Sequence, residues 1–309
     1  MALLFDSLAP VFLTIVAGYG LRRVLALERA VWAGLERLAY YALFPALLAR
    51  TLAGADIALG AAWRLIAVTV GALCLAGVAA AAARRPFGLT GPRFASVFQG
   101  ATRFNTYVIL GVSGALLGTR GLTLAAVPLA FMIVVGNILA VTVLLRHGAP
   151  AGANAARPSL LASLAGNPLI LACAAGLTLN GAGIVLPGAL DAALELIGSS
   201  AVAVGLLSVG AALAPRRLLA DGRAVALTST LKLIVQPAAA VALIALLGLD
   251  GPARTVAIVC ACVPVATSTY ILSTQLGGDA DLMARLITLT TLASVVTMPV
   301  WLLLAIGAF

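Results

Sequence analysis

The sequence reads QGATRFNTYVILGVSG at residues 99–114, where polar side chains and glycines interrupt a long apolar run. A second apolar run is interrupted in the same way by PVATSTYILSTQLG at residues 264–277. A continuous lipid-facing helix would not tolerate this polar load, because each unpaired polar group in hydrocarbon costs several kcal/mol. Pro264 also removes a backbone donor and clashes with the preceding turn. The two stretches therefore predict broken membrane-spanning helices, with Gly111, Gly114 and Pro264 at the breaks.

The composition around these stretches is that of a membrane protein. Of 309 residues, 63% are hydrophobic and 9% are charged, whereas a soluble domain has about 25% charged residues. This excludes a soluble enzyme, a secreted disulfide scaffold, a disordered chain and a coiled coil. Long unbroken apolar runs also exclude a β-barrel, whose strands alternate over short segments. The sequence predicts an all-α polytopic membrane protein.

Crossing the hydrocarbon core takes about 20 apolar residues, and the chain contains ten such runs. They are residues 4–24, 31–52, 61–83, 94–117, 121–145, 160–180, 187–213, 224–247, 252–276 and 284–308. The longest connection between them is RHGAPAGANAARPS at 146–159. We therefore predict a first five-helix repeat at 1–148, a cytoplasmic linker at 149–158 and a second five-helix repeat at 159–309.

The basic residues predict the orientation. Twelve arginines lie in or next to the loops after odd-numbered runs, and four lie on the opposite side, namely Arg50, Arg64, Arg120 and Arg254. The positive-inside rule places the richer side in the cytoplasm, so both termini are expected outside it. The rule also explains the net charge of +9 without a nucleic-acid partner; the expected surroundings are a lipid bilayer.

An odd number of spans in each half gives the halves opposite orientations, which is the geometry of an inverted repeat in transporters. Three short matches fall in the expected pairs of runs. They are Pro10 and Gly18 with Pro168 and Gly176, Arg64-Leu65-Ile66 with Lys232-Leu233-Ile234, and Asn105-Thr106-Tyr107 with Ser268-Thr269-Tyr270.

The interrupted runs 4 and 9 predict a binding site near the middle of the bilayer. The N-termini of half-helices favour anions there, because they carry free N–H groups and the positive end of the helix dipole. Arg103 lies about 14 Å into run 4 at 1.5 Å per residue. A buried arginine marks a pathway and a substrate carboxylate is one partner for it; local carbonyls or the cytoplasmic edge are the alternatives. Glu36 lies near the start of its run, so no acid is expected at this depth.

The other candidates surround these two runs. Asn105, Thr267, Ser268 and Thr269 are expected to hydrogen-bond the anion, and Tyr107 and Tyr270 to shape the pocket; contacts between helices are the alternative for Asn105 and Ser268. Secondary candidates are Gln99, Asn137, Asn167, Lys232 and Gln275. The side chain of Lys232 is expected to reach the cytoplasmic edge. The sequence supports no catalytic residue, cofactor or metal site, because His147 has no second ligand nearby and Cys260 and Cys262 have no histidine.

Short motifs along almost the whole chain carry a family resemblance. They are Ala9-Pro10-Val11-Phe12, Gly18-Tyr19-Gly20-Leu21-Arg22-Arg23, Phe44-Pro45-Ala46-Leu47-Leu48, Gln99-Gly100, Arg103-Phe104-Asn105, Asn167-Pro168-Leu169, Gly210, Lys232-Leu233-Ile234, Pro264-Val265-Ala266, Gln275-Leu276-Gly277-Gly278-Asp279-Ala280 and Thr290-Thr291. This ordered set resembles the bacterial branch of the auxin efflux carrier family.

The resemblance implies ten spans in an inverted 5+5 repeat, with broken helices 4 and 9 crossing at the midplane and substrate at the crossover. It also implies a fold related to bile-acid:sodium symporters, a bacterial inner-membrane location, and small organic anions as substrates, such as auxin in plants and malonate or similar dicarboxylates in bacteria. Asn105 matches the family's crossover asparagine. Family members commonly carry a proline shortly after that asparagine, whereas this chain has Leu110-Gly111-Val112-Ser113-Gly114.

The leading hypothesis is a secondary transporter of a small carboxylate that works by alternating access. The alternatives are sodium-coupled uptake of an organic anion, like that of the bile-acid symporters, and a membrane sensor that binds a ligand without moving it. An enzyme is not expected. Coupling to Na⁺, coupling to H⁺ and uniport are the alternatives for energy coupling, import and export are those for direction, and a homodimer is one possible oligomeric state.

Overall fold

The computed structural model describes residues 2–55, 59–149, 165–215 and 222–307, and no β-strand occurs among them. The helices are α1 (Ala2–Val24), α2 (Arg29–Leu38), α3 (Phe44–Ala53), α4 (Leu59–Ala83), α5 (Gly91–Thr102), α6 (Thr106–His147), α7 (Pro168–Gly181), α8 (Gly188–Ser199), α9 (Ala201–Ala212), α10 (Gly222–Thr230), α11 (Gln236–Leu247), α12 (Gly251–Cys262), α13 (Ser268–Leu276) and α14 (Ala280–Gly307). The all-helical fold class predicted from composition is therefore confirmed.

Among the described residues, five helical stretches are long and apolar enough to cross a membrane, namely residues 62–83, 91–147, 188–212, 222–247 and 280–305. Two shorter apolar helices, α7 and α12, accompany them. The start of the predicted run at 160–180 and all of the predicted linker at 149–158 except Ala149 lie outside the described residues. The count of ten spans stays a prediction.

In the described part of the chain, two continuous helices contain a π-helical turn. Helices α2 and α3 are joined without a break by the turn Ala39–Leu43, and α10 and α11 by the turn Leu231–Val235. Such turns place one extra residue inside a helix and are frequent at functional sites. In the second of them, the indole Nε1 of Trp301 donates a hydrogen bond of 2.8 Å to the carbonyl oxygen of Leu233.

Helix α6 contains a sharp change of direction at Gly118, whose φ of 59° and ψ of −146° are not helical. A positive φ strains any residue with a Cβ, so glycine suits this position. The helical segment before Gly118 completes predicted run 4 and the segment after it forms run 5. Gly118 therefore lies within the boundary that the sequence predicts between these two runs, at residues 117–121.

Close helix contacts join the first half of the chain to the second. Helix α1 packs along α9, and α3 packs along α7. The α1–α9 contact requires glycine, because a Cβ on Gly18 would lie 2.1 Å from the carbonyl oxygen of Leu207 and a Cβ on Gly210 would lie 1.8 Å from that of Ile15. Small residues at such contacts let helices approach closely in a bilayer.

Candidate functional site

Run 4 is broken at residues 103–105, between α5 and α6. Arg103 and Asn105 have extended backbone conformations. The side-chain oxygen of Asn105 accepts hydrogen bonds from the backbone N–H groups of Tyr107, at 3.0 Å, and Val108, at 3.2 Å. Asparagine is a strong N-cap because its oxygen satisfies donors that the helix itself leaves free. Asn105 therefore ends the break and starts α6.

Run 9 is broken between Cys262, the last residue of α12, and Ser268, the first of α13. Pro264 lies in this non-helical segment. The two breaks meet, because the backbone N–H of Asn105 donates a hydrogen bond of 3.0 Å to the carbonyl oxygen of Pro264. The N–H of Val265 donates to the hydroxyl of Thr290 at 3.2 Å. These bonds satisfy backbone groups that would be costly to bury unpaired.

A cavity lies where the two breaks meet. The residues that line it come from both breaks and from four neighbouring helical segments. They are Tyr40, Arg103, Phe104, Asn105, Thr106, Tyr107, Ile133, Asn137, Asn167, Leu169, Ala266, Thr267 and Ser268. The lining combines one cation with hydroxyls, amides and apolar side chains.

Arg103 is the cation of this cavity. Its Nη1 donates to the side-chain oxygen of Asn137, and its Nη2 donates to the hydroxyl oxygen of Ser268 at 3.3 Å. In the described part of the chain, ion pairs between side chains join Arg50 to Asp191 and Glu195, and none involves Arg103. A half-buried guanidinium that only neutral groups contact is poorly compensated, so an anion in the cavity would stabilise it.

Three helices begin at the cavity and direct their N-termini to it. Helix α6 begins after Asn105, α13 begins at Ser268, and α7 begins after Asn167, whose side-chain oxygen accepts from Leu169 N and Ile170 N. Helix N-termini favour anions through their dipoles. The side-chain nitrogen of Asn105, a residue that is 1% exposed, is buried and has no partner among the described residues. This donor and Arg103 together provide the chemistry of an anion site.

A family model described as "membrane transport protein" matches residues 3–302 of the chain. The chain belongs to the auxin efflux carrier family. The predicted family is therefore confirmed, and the protein is a multi-pass membrane transport protein. Members of the family are transporters and not enzymes. No curated protein matches the chain closely enough to count as a relative.

Five of the seven residues predicted to bind the substrate of this auxin efflux carrier family member line the cavity. Besides those of the two breaks, Tyr107 lies there with its ring stacked on Phe44 at a centroid distance of 4.4 Å. Asn137 and Asn167, which the sequence favoured less, also line it. The dipeptide Asn167-Pro168 before an apolar run is itself a helix-start signal, so the third N-terminus could have been found from the sequence.

Three candidates on α13 do not line the cavity. Tyr270 is 39% exposed and does not line the cavity, so the expectation that it shapes the pocket is wrong. The hydroxyl of Thr269 donates to the carbonyl oxygen of Ala266, one turn back in its own segment. Gln275 is exposed at the far end of α13. All three face away because a helix that begins at Ser268 directs only its first residue into the cavity.

The glycines of run 4 are not the breaking residues. Gly111 and Gly114 both lie inside α6, and the backbone leaves the helix at residues 103–105. Gly111 faces Val202 and Leu206 of α9, so its lack of a side chain serves helix packing. The prediction was wrong here because glycine is well tolerated inside membrane helices, whereas Asn105 supplies a side-chain cap.

The two buried secondary candidates have partners outside the cavity. The side-chain nitrogen of Gln99 donates to the hydroxyl of Ser273 at 3.0 Å, which joins α5 to α13. Lys232 is 0% exposed, and its Nζ donates to the side-chain oxygen of Gln236 at 2.8 Å. The expectation that Lys232 reaches the membrane edge is wrong, because its π-helical turn is packed among α4, α5, α12 and α14.

Helix 2, which consists of α2, the π-helical turn and α3, contributes two residues that were not predicted from the sequence. Tyr40 lines the cavity, and the carboxyl oxygen Oε1 of Glu36 accepts a hydrogen bond of 2.7 Å from the hydroxyl of Thr267. Glu36 was set aside because it lies near the start of its run. The usable signal was its place inside an apolar run, where an acidic residue indicates a functional role.

Proposed function

We propose that the protein is a secondary transporter that moves a small carboxylate across the membrane by alternating access, with the substrate at the meeting point of the two broken helices. The observation that carries this proposal is Arg103 in the cavity, contacted by the neutral side chains of Asn137 and Ser268. A carboxylate can replace these weak acceptors with a charge-assisted pair.

The remaining groups of the cavity fit the same ligand. The unpaired side-chain nitrogen of Asn105 would donate to a carboxylate oxygen, as would the hydroxyls of Thr267 and Ser268. Tyr107 would contact the body of the substrate. Because three helix N-termini add positive potential, the site favours an anion over a neutral or cationic solute.

Alternating access would follow from an inverted five-plus-five repeat, which two features support. The first halves of both broken helices, α5 and α12, have 12 residues, begin with Gly-Pro and end at a residue with extended backbone. In the proposed repeat, α1 corresponds to α7, and the helix formed by α2 and α3 corresponds to the one formed by α8 and α9. The α3–α7 contact is therefore the counterpart of the α1–α9 contact. Rocking of one repeat against the other about the cavity is the motion expected of such folds.

Uptake into proteoliposomes tests the proposal. We expect the purified protein to move labelled malonate or labelled auxin into vesicles faster than protein-free vesicles take it up, with and without an imposed sodium gradient. Exchange of internal for external label should persist without any gradient. Binding of a labelled anion with no movement in any condition would contradict transport and favour the alternative of a membrane sensor.

A further inference from the structure

The carboxyl group of Glu36 contacts the site without belonging to its anion-binding groups. Its Oε1 accepts the hydrogen bond from Thr267, and Thr267 lies in the helix-9 break and lines the cavity. Glu36 also lies one turn before Tyr40, which lines the same cavity. One hydrogen bond therefore connects helix 2 to the segment that is proposed to hold the substrate.

Glu36 has no cationic partner in the described part of the chain. Helix α9, which packs against α2, carries no ionisable side chain. Tyr107 of α6 interacts electrostatically with Glu36, and Tyr40 interacts electrostatically with both Tyr107 and Arg103. A carboxylate that is partly removed from water and contacts no cationic side chain is disfavoured relative to the neutral acid.

A bound anion strengthens this preference. A carboxylate held beside Arg103 adds negative charge near Glu36, and like charges favour the protonated form of a carboxyl group. The proton on Glu36 and the anion in the cavity therefore stabilise each other, and such coupling is reciprocal. The proton comes from water on one side of the membrane and returns to water on the other, and no other bond changes.

From this geometry we infer that Glu36 is the proton-binding residue of the transporter and that the anion moves together with one proton. The inference rests on the proposed function. It assigns a role to the one contact between the helix-9 break and an acidic side chain among the described residues.

The first test does not depend on transport. In the infrared spectrum of the purified protein at pH 7, we expect a carbonyl stretch from a buried protonated carboxyl group. Glu36→Gln should remove this band, whereas Glu28→Gln, which changes an exposed carboxylate in the loop before the same helix, should leave it. A band that is absent from the wild type, or that persists in Glu36→Gln, overturns the inference.

The second test uses the proteoliposomes with a pH-sensitive dye inside. We expect malonate or auxin entry to carry protons inward, and Glu36→Gln to lower accumulation driven by a pH gradient by about tenfold while exchange of label continues. Label that enters the wild type with no pH change, or that follows a sodium gradient instead, overturns the inference and leaves the proposed function intact. Absence of exchange in the wild type contradicts the proposed function, and the infrared result then decides the protonation of Glu36 by itself.

Discussion

At the scale of single residues, the guanidinium of Arg103 is the group on which anion binding depends. We expect Arg103→Gln to weaken the binding of labelled malonate about 10–100-fold, because hydrogen bonds to charged groups contribute about 1.5–3 kcal/mol. Equilibrium binding to protein in detergent measures this. Arg146→Gln is the matched control, since Arg146 is exposed at the end of α6. An equal loss in both variants would remove the role assigned to Arg103.

The side-chain oxygen and the side-chain nitrogen of Asn105 have different roles. Its oxygen caps α6, and its nitrogen is the unpaired donor of the cavity. Asn105→Ala should lower the free energy of unfolding by about 1 kcal/mol through loss of the cap. Asn105→Asp keeps the cap but replaces the donor with a negative charge, so stability should be nearly retained while malonate binding is lost. Thermal unfolding and equilibrium binding measure the two effects, and wild-type affinity in Asn105→Asp would contradict the assignment.

Individual site residues could be predicted where the bilayer makes them conspicuous. Arg103, Asn105 and Ser268 are polar within apolar runs, and each lines the cavity. The contact of Glu36 with Thr267 joins residues that are 231 positions apart, so it depends on how the two halves pack and no local pattern reveals it. The outward position of Tyr270 was missed for a related reason, because it depends on the residue at which α13 begins.

At the scale of helices, the contact between α1 and α9 depends on two glycines. We expect Gly18→Ala and Gly210→Ala each to lower the free energy of unfolding by about 1–3 kcal/mol, because the added methyl group forces the two backbones apart. Gly20→Ala is the matched control in the same helix, since a Cβ at Gly20 would have no neighbour within 4 Å. Chemical unfolding in detergent compares the three variants. Equal stability of all three would show that the helices are not in close contact.

The helices and the breaks were predictable to different degrees. Hydropathy indicates the apolar runs because each must match the thickness of the bilayer. Pro264 indicates the break in helix 9, since proline cannot continue the hydrogen-bond ladder. The break in helix 4 was misplaced at Gly111 and Gly114, because hydropathy contains no information on whether a glycine serves packing or a turn.

At the scale of the whole molecule, the distribution of arginines predicts the orientation. We expect a cysteine introduced at Glu28 to react with a membrane-impermeant maleimide only in inverted vesicles, and a cysteine at Asp250 to react in intact cells. Both positions are exposed, whereas the four native cysteines are buried or half-buried within helices and should give little background. Labelling of both positions from the same side would contradict the predicted topology.

The π-helical turn at Ala39–Leu43 separates two contacts of helix 2 that face different partners. Before the turn, Glu36 meets Thr267; after it, α3 packs along α7. One residue rotates an α-helix by about 100°, so deleting a single residue such as Tyr41 would turn one contact out of phase with the other. Insertions and deletions of one residue should therefore be excluded from this helix during evolution, while loops of the same protein remain free to change length.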